Sequence, residues 1–67
     1  MAVYKIIDIV GVSEKSFADA AKNAVAEAAK TVRGIKRAEV VKFDLKIEND
    51  KVTRYRAEVK VSFEIEK

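Results

Sequence analysis

The sequence predicts an α+β subunit built from one strand, one helix and two further strands, in the order β-α-β-β. Three observations lead to this fold class. β-branched and aromatic residues dominate residues 2–10, alanine recurs at helical spacing across residues 14–33, and apolar and polar residues alternate along residues 40–66. Two glycines, Gly11 and Gly34, separate these segments and no proline interrupts them, so the elements should be continuous.

The first strand is predicted over residues 2–10, because its composition is typical of strands. Gly11 is expected to end it. The apolar residues occupy both faces, which indicates a strand covered on both sides or by a neighbouring subunit. These residues are Val3, Tyr4, Ile6, Ile7, Ile9 and Val10.

The helix is predicted from Glu14 to Arg33, with Ser13 as its N-cap and Gly34 as the C′ residue that follows it. One apolar stripe recurs at the helical period. The stripe is mostly alanine, which permits close approach to a sheet but contributes little buried area. Its members are Phe17, Ala20, Ala21, Ala24, Val25, Ala28 and Val32.

The last two strands alternate with period two, which is typical of antiparallel strands covered on one face. The apolar face of the first holds Val41, Phe43, Leu45 and Ile47, with Val40, Lys42, Asp44, Lys46 and Glu48 opposite. The apolar face of the second holds Tyr55, Ala57, Val59, Val61, Phe63 and Ile65.

The apolar residues of both strands have odd sequence numbers. For them to share one face of the sheet, the sequence numbers of two directly paired residues must add up to an even number. A two-residue turn at Asn49 and Asp50 breaks this rule, and a three-residue loop that includes Lys51 obeys it. The favoured register pairs Asp44 with Arg56, Lys42 with Glu58, Phe43 with Ala57, Leu45 with Tyr55, Val41 with Val59 and, at a cost in like charge, Lys46 with Arg54. A register shifted by two residues, which opposes Lys42 to Arg56, is the alternative.

The chain has 67 residues, no cysteine and no histidine. So short a chain buries a thin core, and oligomerisation is the simplest source of added stability. The net charge of +3 comes from 14 basic and 11 acidic residues, a mixed surface that argues against nucleic-acid binding. No signal-like or membrane-spanning apolar run is visible, so we expect a cytoplasmic protein.

Short motifs along the whole chain make it similar to a known family. They are Val3-Tyr4-Lys5, Val10-Gly11-Val12-Ser13, the alanine-rich helix with Thr31, residues Ile35 to Val40, and Tyr55 to Phe63. In their order and spacing the chain resembles the dodecins. The resemblance implies one domain over residues 1–67, a three-stranded antiparallel sheet wrapped around the helix, and assembly into a hollow homododecamer.

The resemblance also implies ligands. Flavin-binding dodecins stack flavins between tryptophans at a twofold interface, some members bind coenzyme A, and some carry metal ions. This sequence has no tryptophan, and Arg37 stands at the stacking position. Arg56 replaces the glutamine that bonds the flavin edge, and Asp44 replaces a basic residue. We therefore expect no tight flavin binding, as in a subgroup that lacks the stacking tryptophan.

Each candidate site has two interpretations. Arg37, Asp44 and Arg56 are either surface charges or the lining of a ligand site between subunits. Glu48 and Asp50 are either turn residues or oxygen ligands for calcium or another divalent cation. Near a symmetry axis, Glu64 and Glu66 could gather carboxylates from several chains; otherwise they are a solvated strand end.

The favoured function is a homo-oligomeric shell that binds or stores a small ligand or ion. The alternatives are a flavin-sequestering dodecin with an atypical site and a purely structural assembly. An enzyme is not expected, because no nucleophile–base pair is visible and Ser13 is explained as a cap.

Overall fold

The structure is a computed structural model that describes residues 2–65. Its elements are β1 (Val3–Ser13), α1 (Phe17–Ala29), β2 (Ile35–Glu48) and β3 (Lys51–Ile65). The strands form one sheet in the order β1-β3-β2, and β3 is antiparallel to both neighbours. The predicted α+β class and the β-α-β-β order are confirmed.

Helix α1 packs on one face of the sheet, which we call the inner face; the other is the outer face. The buried hydrophobic side chains between them, none larger than valine among the described residues, are Ala20, Ala24, Ala28, Ala57, Val59 and Val61; partly buried residues, including Ile7, Ile9 and Ile35, pack against them. Helix and sheet approach so closely that a Cβ on Gly11 would lie 2.0 Å from the Ala20 carbonyl oxygen. The predicted alanine stripe is therefore confirmed as the packing face.

The start of the helix differs from the prediction. β1 does not end at Gly11 but continues to Ser13, whose side chain is buried. Ser16, with extended backbone angles, is the N-cap, and its hydroxyl accepts a hydrogen bond from the Asp19 amide at 3.0 Å. The predicted cap, Ser13, is therefore the last residue of β1, and Ser16 holds the capping position.

The end of the helix is also earlier than predicted. The last helical residue is Ala29 and Lys30 is the C-cap, so Gly34 is not the C′ residue. Thr31 donates its amide to the Ala28 carbonyl at 3.0 Å, an i to i−3 bond that tightens the last turn. Gly34 has φ +75 and turns the chain into β2, a left-handed conformation that suits glycine.

The hairpin between β2 and β3 has a two-residue turn, and the predicted three-residue loop is wrong. Asn49 and Asp50 both have positive φ, 52 and 62, as a type I′ turn requires. A β-bulge keeps the apolar residues of both strands on the same face despite the shorter turn. It lies where the pairing changes from Lys46 with Arg54 to Ile47 with Val52. Thr53 is the extra residue, and its hydroxyl donates to the Lys46 carbonyl at 3.2 Å.

A second bulge corrects the predicted register near the middle of β2. The pairs from Lys42–Glu58 to Lys46–Arg54 are those predicted, but Val59 pairs with Val40 and not with Val41. Val41 is the unpaired extra residue. Val40, predicted on the polar face, consequently turns to the inner face beside the helix.

The subunit is elongated, with extents of 51 × 19 × 14 Å. The last β1–β3 pair is Ser13 with Tyr55, so the hairpin beyond it has no third strand beside it. Within residues 2–65 there is no helix long and apolar enough to cross a membrane.

Candidate functional site

On the outer face, the β3 charges from Arg56 to Lys60 alternate in sign, and each meets the opposite charge on β2. The alternation follows from the period-two pattern, which sends even-numbered β3 residues outward. The cross-strand pairs are Arg56 with Asp44, Glu58 with Lys42 and Lys60 with Glu39. Each of these three pairs is neutral, so this part of the outer face presents no field of one sign to a ligand.

Asp44 and Arg56 form the pair expected from the register. The Arg56 Nε atom lies 3.0 Å from Asp44 Oδ1, and both side chains are partly exposed. Oδ1 itself is buried and no described donor is aligned for a hydrogen bond to it. The contact is thus an ion pair whose N–H direction is poor.

Arg37 lies far from this pair within one chain. It is opposite Ser62 on the outer face, and the Ser62 hydroxyl donates to the Arg37 carbonyl at 3.5 Å. Arg37 and Asp44 are seven positions apart along β2, which is roughly 20 Å at the rise of an extended strand. A site that uses all three residues therefore needs a second chain.

The candidate cation ligands are also dispersed. Glu48 and Asp50 lie at the hairpin tip, where Lys46 Nζ is 3.6 Å from Glu48 Oε2. Glu64 lies at the opposite end of β3, roughly 40 Å away at the strand rise, and its amide donates to the Gly34 carbonyl at 3.1 Å. Glu66 lies outside the described residues. Across residues 2–65 no three acidic side chains come together as a metal-binding group.

A polar cluster that the sequence analysis missed joins the end of β1 to α1. The Ser13 hydroxyl donates to Asp19 Oδ2 at 2.7 Å and accepts from the Lys15 amide at 2.8 Å. Nearby, Asn23 donates to the Val12 carbonyl at 2.9 Å. The spacing of three between Ser13, Ser16 and Asp19 is the signal that could have identified it. These bonds satisfy the backbone around the helix start, and the cluster is structural.

The like-charged pair Lys46 and Arg54 finds separate partners. Lys46 turns to Glu48, and Arg54 Nη1 reaches Glu14 Oε2 at 3.3 Å. The predicted cost of this register is thereby relieved. The Arg54–Glu14 contact also ties the base of the hairpin to the segment before the helix.

Two grooves flank the helix. One, of about 520 Å³, lies between α1 and β1 and is lined by residues that include Ile9, Gly11, Ala24 and Ala28. The other, of about 380 Å³, lies between α1 and β2, and its lining is almost entirely apolar: Ala21, Val25, Ala38, Val40 and Val59. Neither groove contains a convergent set of polar groups of the kind that orients a small substrate.

Comparison with known proteins identifies the architecture. The sequence profile of the family Dodecin matches residues 3–66. The calcium dodecin of Mycobacterium tuberculosis is 38% identical over 65 residues, which is 97% of this chain and 92% of that protein.

Solved structures agree with the sequence comparisons. A mutant of the Thermus thermophilus dodecin is 33% identical and superposes with a TM-score of 0.92 over 100% of both chains. The crystal structure of the M. tuberculosis calcium dodecin, described as having a novel calcium-binding site, is 38% identical with a TM-score of 0.84, over 96% of this chain and 91% of that one. The fold, the order of its elements and the match over nearly the full length show that this chain belongs to the dodecin family.

Proposed function

We propose that the chain is a non-enzymatic subunit, one domain over residues 1–67, of a closed homododecameric shell that holds a small ligand or a divalent cation. The proposal rests on a mismatch in side-chain size: the buried apolar residues are small, and the large apolar residues are exposed. The core is made of alanine and valine, whereas large apolar residues such as Ile6, Phe43 and Ile47 are about half exposed. The proposal includes a cytoplasmic location, which stays a prediction.

The exposed area supports this interpretation. A compact monomer of 7.5 kDa is expected to expose about 4,200 Å², whereas this chain exposes 5200 Å². The excess of about 1,000 Å² is comparable to the roughly 800 Å² that each partner buries in a specific interface. Self-assembly accounts for both the excess surface and the thin core.

Native mass spectrometry of the purified protein tests the assembly. We expect a complex of about 90 kDa, twelve times the subunit mass of 7.5 kDa. A stable monomer or dimer at micromolar concentration overturns the proposal.

A divalent cation is the ligand best supported by the comparisons, because a relative 38% identical to this chain is named calcium dodecin. A single chain brings no acidic triad together within residues 2–65, so a site would be built from carboxylates of several subunits. The candidates are Glu48, Asp50, Glu64 and Glu66. Carboxylate oxygens are the ligands that calcium prefers.

Calorimetry of the assembled protein with calcium, and then with magnesium, tests this point. Binding that is lost in Glu48→Gln, Asp50→Asn or Glu64→Gln locates the site. Glu27→Gln is the matched control, since Glu27 lies on the helix and pairs with Lys30 at 3.2 Å. No heat with either cation removes the cation from the proposal and leaves a shell with another ligand or a structural role.

The flavin site of the family does not fit these residues. Arg37 stacks less area than an indole and carries a charge that must be desolvated. Arg56 donates hydrogen bonds but cannot accept them, and it already contacts Asp44. We therefore expect riboflavin fluorescence to be unquenched at submicromolar protein. The double variant Arg37→Trp/Arg56→Gln should gain quenching, and quenching by the unaltered protein contradicts the expectation.

A further inference from the structure

The helix covers the sheet unevenly, which leaves a groove along one of its sides. α1 packs mainly on β1 and β3 and makes few contacts with β2. The close approach at Gly11 explains this offset, because the absence of a Cβ there lets Ala20 and Ala24 lie directly on β1. The inner face of β2 is therefore open beside the helix.

The space over this part of β2 is the α1–β2 groove, with a volume of about 380 Å³. Its apolar lining comprises Ala21 and Val25 of the helix, Ala38 and Val40 of β2, and Val59 of β3. Val59 is completely buried and forms the floor. The bulge at Val41 brings Val40 into the wall, because Val40 then pairs with the inward-facing Val59. Bulges commonly redirect a side chain beside a functional site.

The groove is short, and its length limits the size of a ligand. The two helix residues of the lining are four positions apart, which is about 6 Å along the helix axis. The two β2 residues are two positions apart, which is about 7 Å. These dimensions match a single ring or a short branched chain better than a long acyl chain or a fused three-ring system.

Lys22 supplies a positive charge at the rim of the groove. Of the described residues that line the groove, only Lys22 is charged. None of the ion pairs formed within residues 2–65 includes it. Asp19, one turn earlier on the helix, accepts a hydrogen bond from the Ser13 hydroxyl at 2.7 Å. The ammonium group of Lys22 is therefore available to an external anion.

We propose that the α1–β2 groove binds a small monocarboxylate with a compact apolar body, the carboxylate at Lys22 and the body over Val59. The inference rests on the proposed ligand-holding function and names the class of ligand and its place. One lysine balances one negative charge, whereas a phosphate dianion would keep an unbalanced charge beside apolar walls. Burial of the apolar body supplies the affinity, and holding a ligand without transforming it needs no convergent set of polar groups.

A ¹⁹F NMR titration of the assembled protein with 4-(trifluoromethyl)benzoate tests the proposal, with native mass spectrometry of the same sample. For a ligand of this size we expect a dissociation constant on the order of 1 mM or tighter. The neutral 4-(trifluoromethyl)benzamide is the matched probe, since it has nearly the same shape without the charge. It should bind about fivefold more weakly, as loss of a partly solvated ion pair predicts.

Two substitutions locate the ligand in the groove. Lys22→Met should weaken binding of the benzoate about fivefold and leave binding of the benzamide unchanged. Lys30→Met is its control, because it removes the same charge from a lysine that contacts Glu27 at 3.2 Å. Ala38→Leu fills the groove and should abolish binding of both probes, whereas Ala2→Leu, at an exposed position before β1, should not.

Equal affinity for the benzoate and the benzamide overturns the selection by charge, and unchanged binding in Ala38→Leu places the ligand outside the groove. An intact dodecamer that binds neither probe up to about 10 mM overturns the proposal and leaves the shell standing. Loss of the dodecamer in Ala38→Leu would mean that another copy occupies the groove, which also contradicts the proposal. A monomeric unaltered protein overturns the shell, and binding that depends on Lys22 in that monomer would still support the groove.

Discussion

The two ends of the β2–β3 hairpin have the same alternating pattern and different surroundings. Near the helix, Ala57, Val59 and Val61 are completely buried. Beyond the helix, Leu45, Ile47 and Val52 repeat the pattern and are about half exposed. The alternation determines which face a side chain occupies, and the presence of a covering element determines whether that face is buried.

The aromatic cluster at the start of the helix marks the border between the two ends. Phe17 lies 4.7 Å from Phe43 and 5.1 Å from Tyr55 between ring centroids. The second contact is edge-to-face, a favourable arrangement for aromatic rings. One helical residue thus holds both hairpin strands at the last point that the helix reaches.

The largest expected effect comes from disrupting the packing of the helix on the sheet. Gly11→Ala would place a Cβ 2.0 Å from the Ala20 carbonyl oxygen and 2.8 Å from the Ala24 amide nitrogen, both backbone atoms that cannot move alone. We expect a loss of more than about 3 kcal/mol in unfolding free energy, measured by urea denaturation at fixed subunit concentration. Gly34→Ala is the control: its Cβ meets nothing nearer than 3.6 Å, and the φ of +75 costs about 1 kcal/mol. Equal effects of the two substitutions would contradict the close approach at Gly11.

The next prediction compares one valine from each end. Val59→Ala removes a fully buried side chain from the core and should lower the unfolding free energy by about 2 kcal/mol. Val52→Ala, at the exposed end of the hairpin, should change the free energy of subunit unfolding by less than about 0.5 kcal/mol and weaken assembly instead. Denaturation and native mass spectrometry of both variants separate these outcomes; the reverse ranking would mean that the hairpin end is the better packed.

The turn offers a smaller effect. Asp50 has φ 62, a conformation that glycine adopts without a Cβ penalty, and Asn-Gly is a preferred type I′ pair. Asp50→Gly is therefore expected to stabilise the protein by about 0.5 kcal/mol, and Asp50→Val to destabilise it by a larger amount. Thermal unfolding measures both; destabilisation by glycine would argue against the two-residue turn.

The smallest effect concerns the charged rows of the outer face. A double-mutant cycle of Asp44→Ala and Arg56→Ala should give a coupling of about 0.3 kcal/mol, because partly exposed ion pairs are screened by solvent. Adding salt should reduce it. Strict additivity of the two substitutions would show that their contact contributes nothing to stability.

Much of the sheet was predictable because alternation and charge agree on one register. The pairs from Lys42–Glu58 to Lys46–Arg54 follow from parity together with opposite charges at Asp44 and Arg56. The bulges at Val41 and Thr53 were not predicted. A bulge adds a residue whose side chain looks like part of the pattern, so composition alone does not reveal it.

The residue types of the candidate site were predictable from the sequence, but the distances between them were not. The sequence identifies Arg37, Asp44 and Arg56 as departures from the flavin-binding pattern. Their separation, and the distance between Glu48 at the tip and Glu64 at the far end, depend on the strand lengths and register. Ser13 was assigned to the helix cap, whereas its burial between β1 and α1 gives it the hydrogen bond to Asp19.

The sequence by itself determined the order of the elements, the alanine face of the helix and the opposite charges of the Asp44–Arg56 and Lys42–Glu58 pairs. Each of these depends on local periodicity. Only the tertiary structure decided the central position of β3, the choice of Ser16 over Ser13 as the cap, and the two-residue turn with its compensating bulge. These depend on which surfaces meet. The helix packs closely on Gly11, and the end of β1 at Ser13 leaves the tip of the β2–β3 hairpin without a third strand beside it.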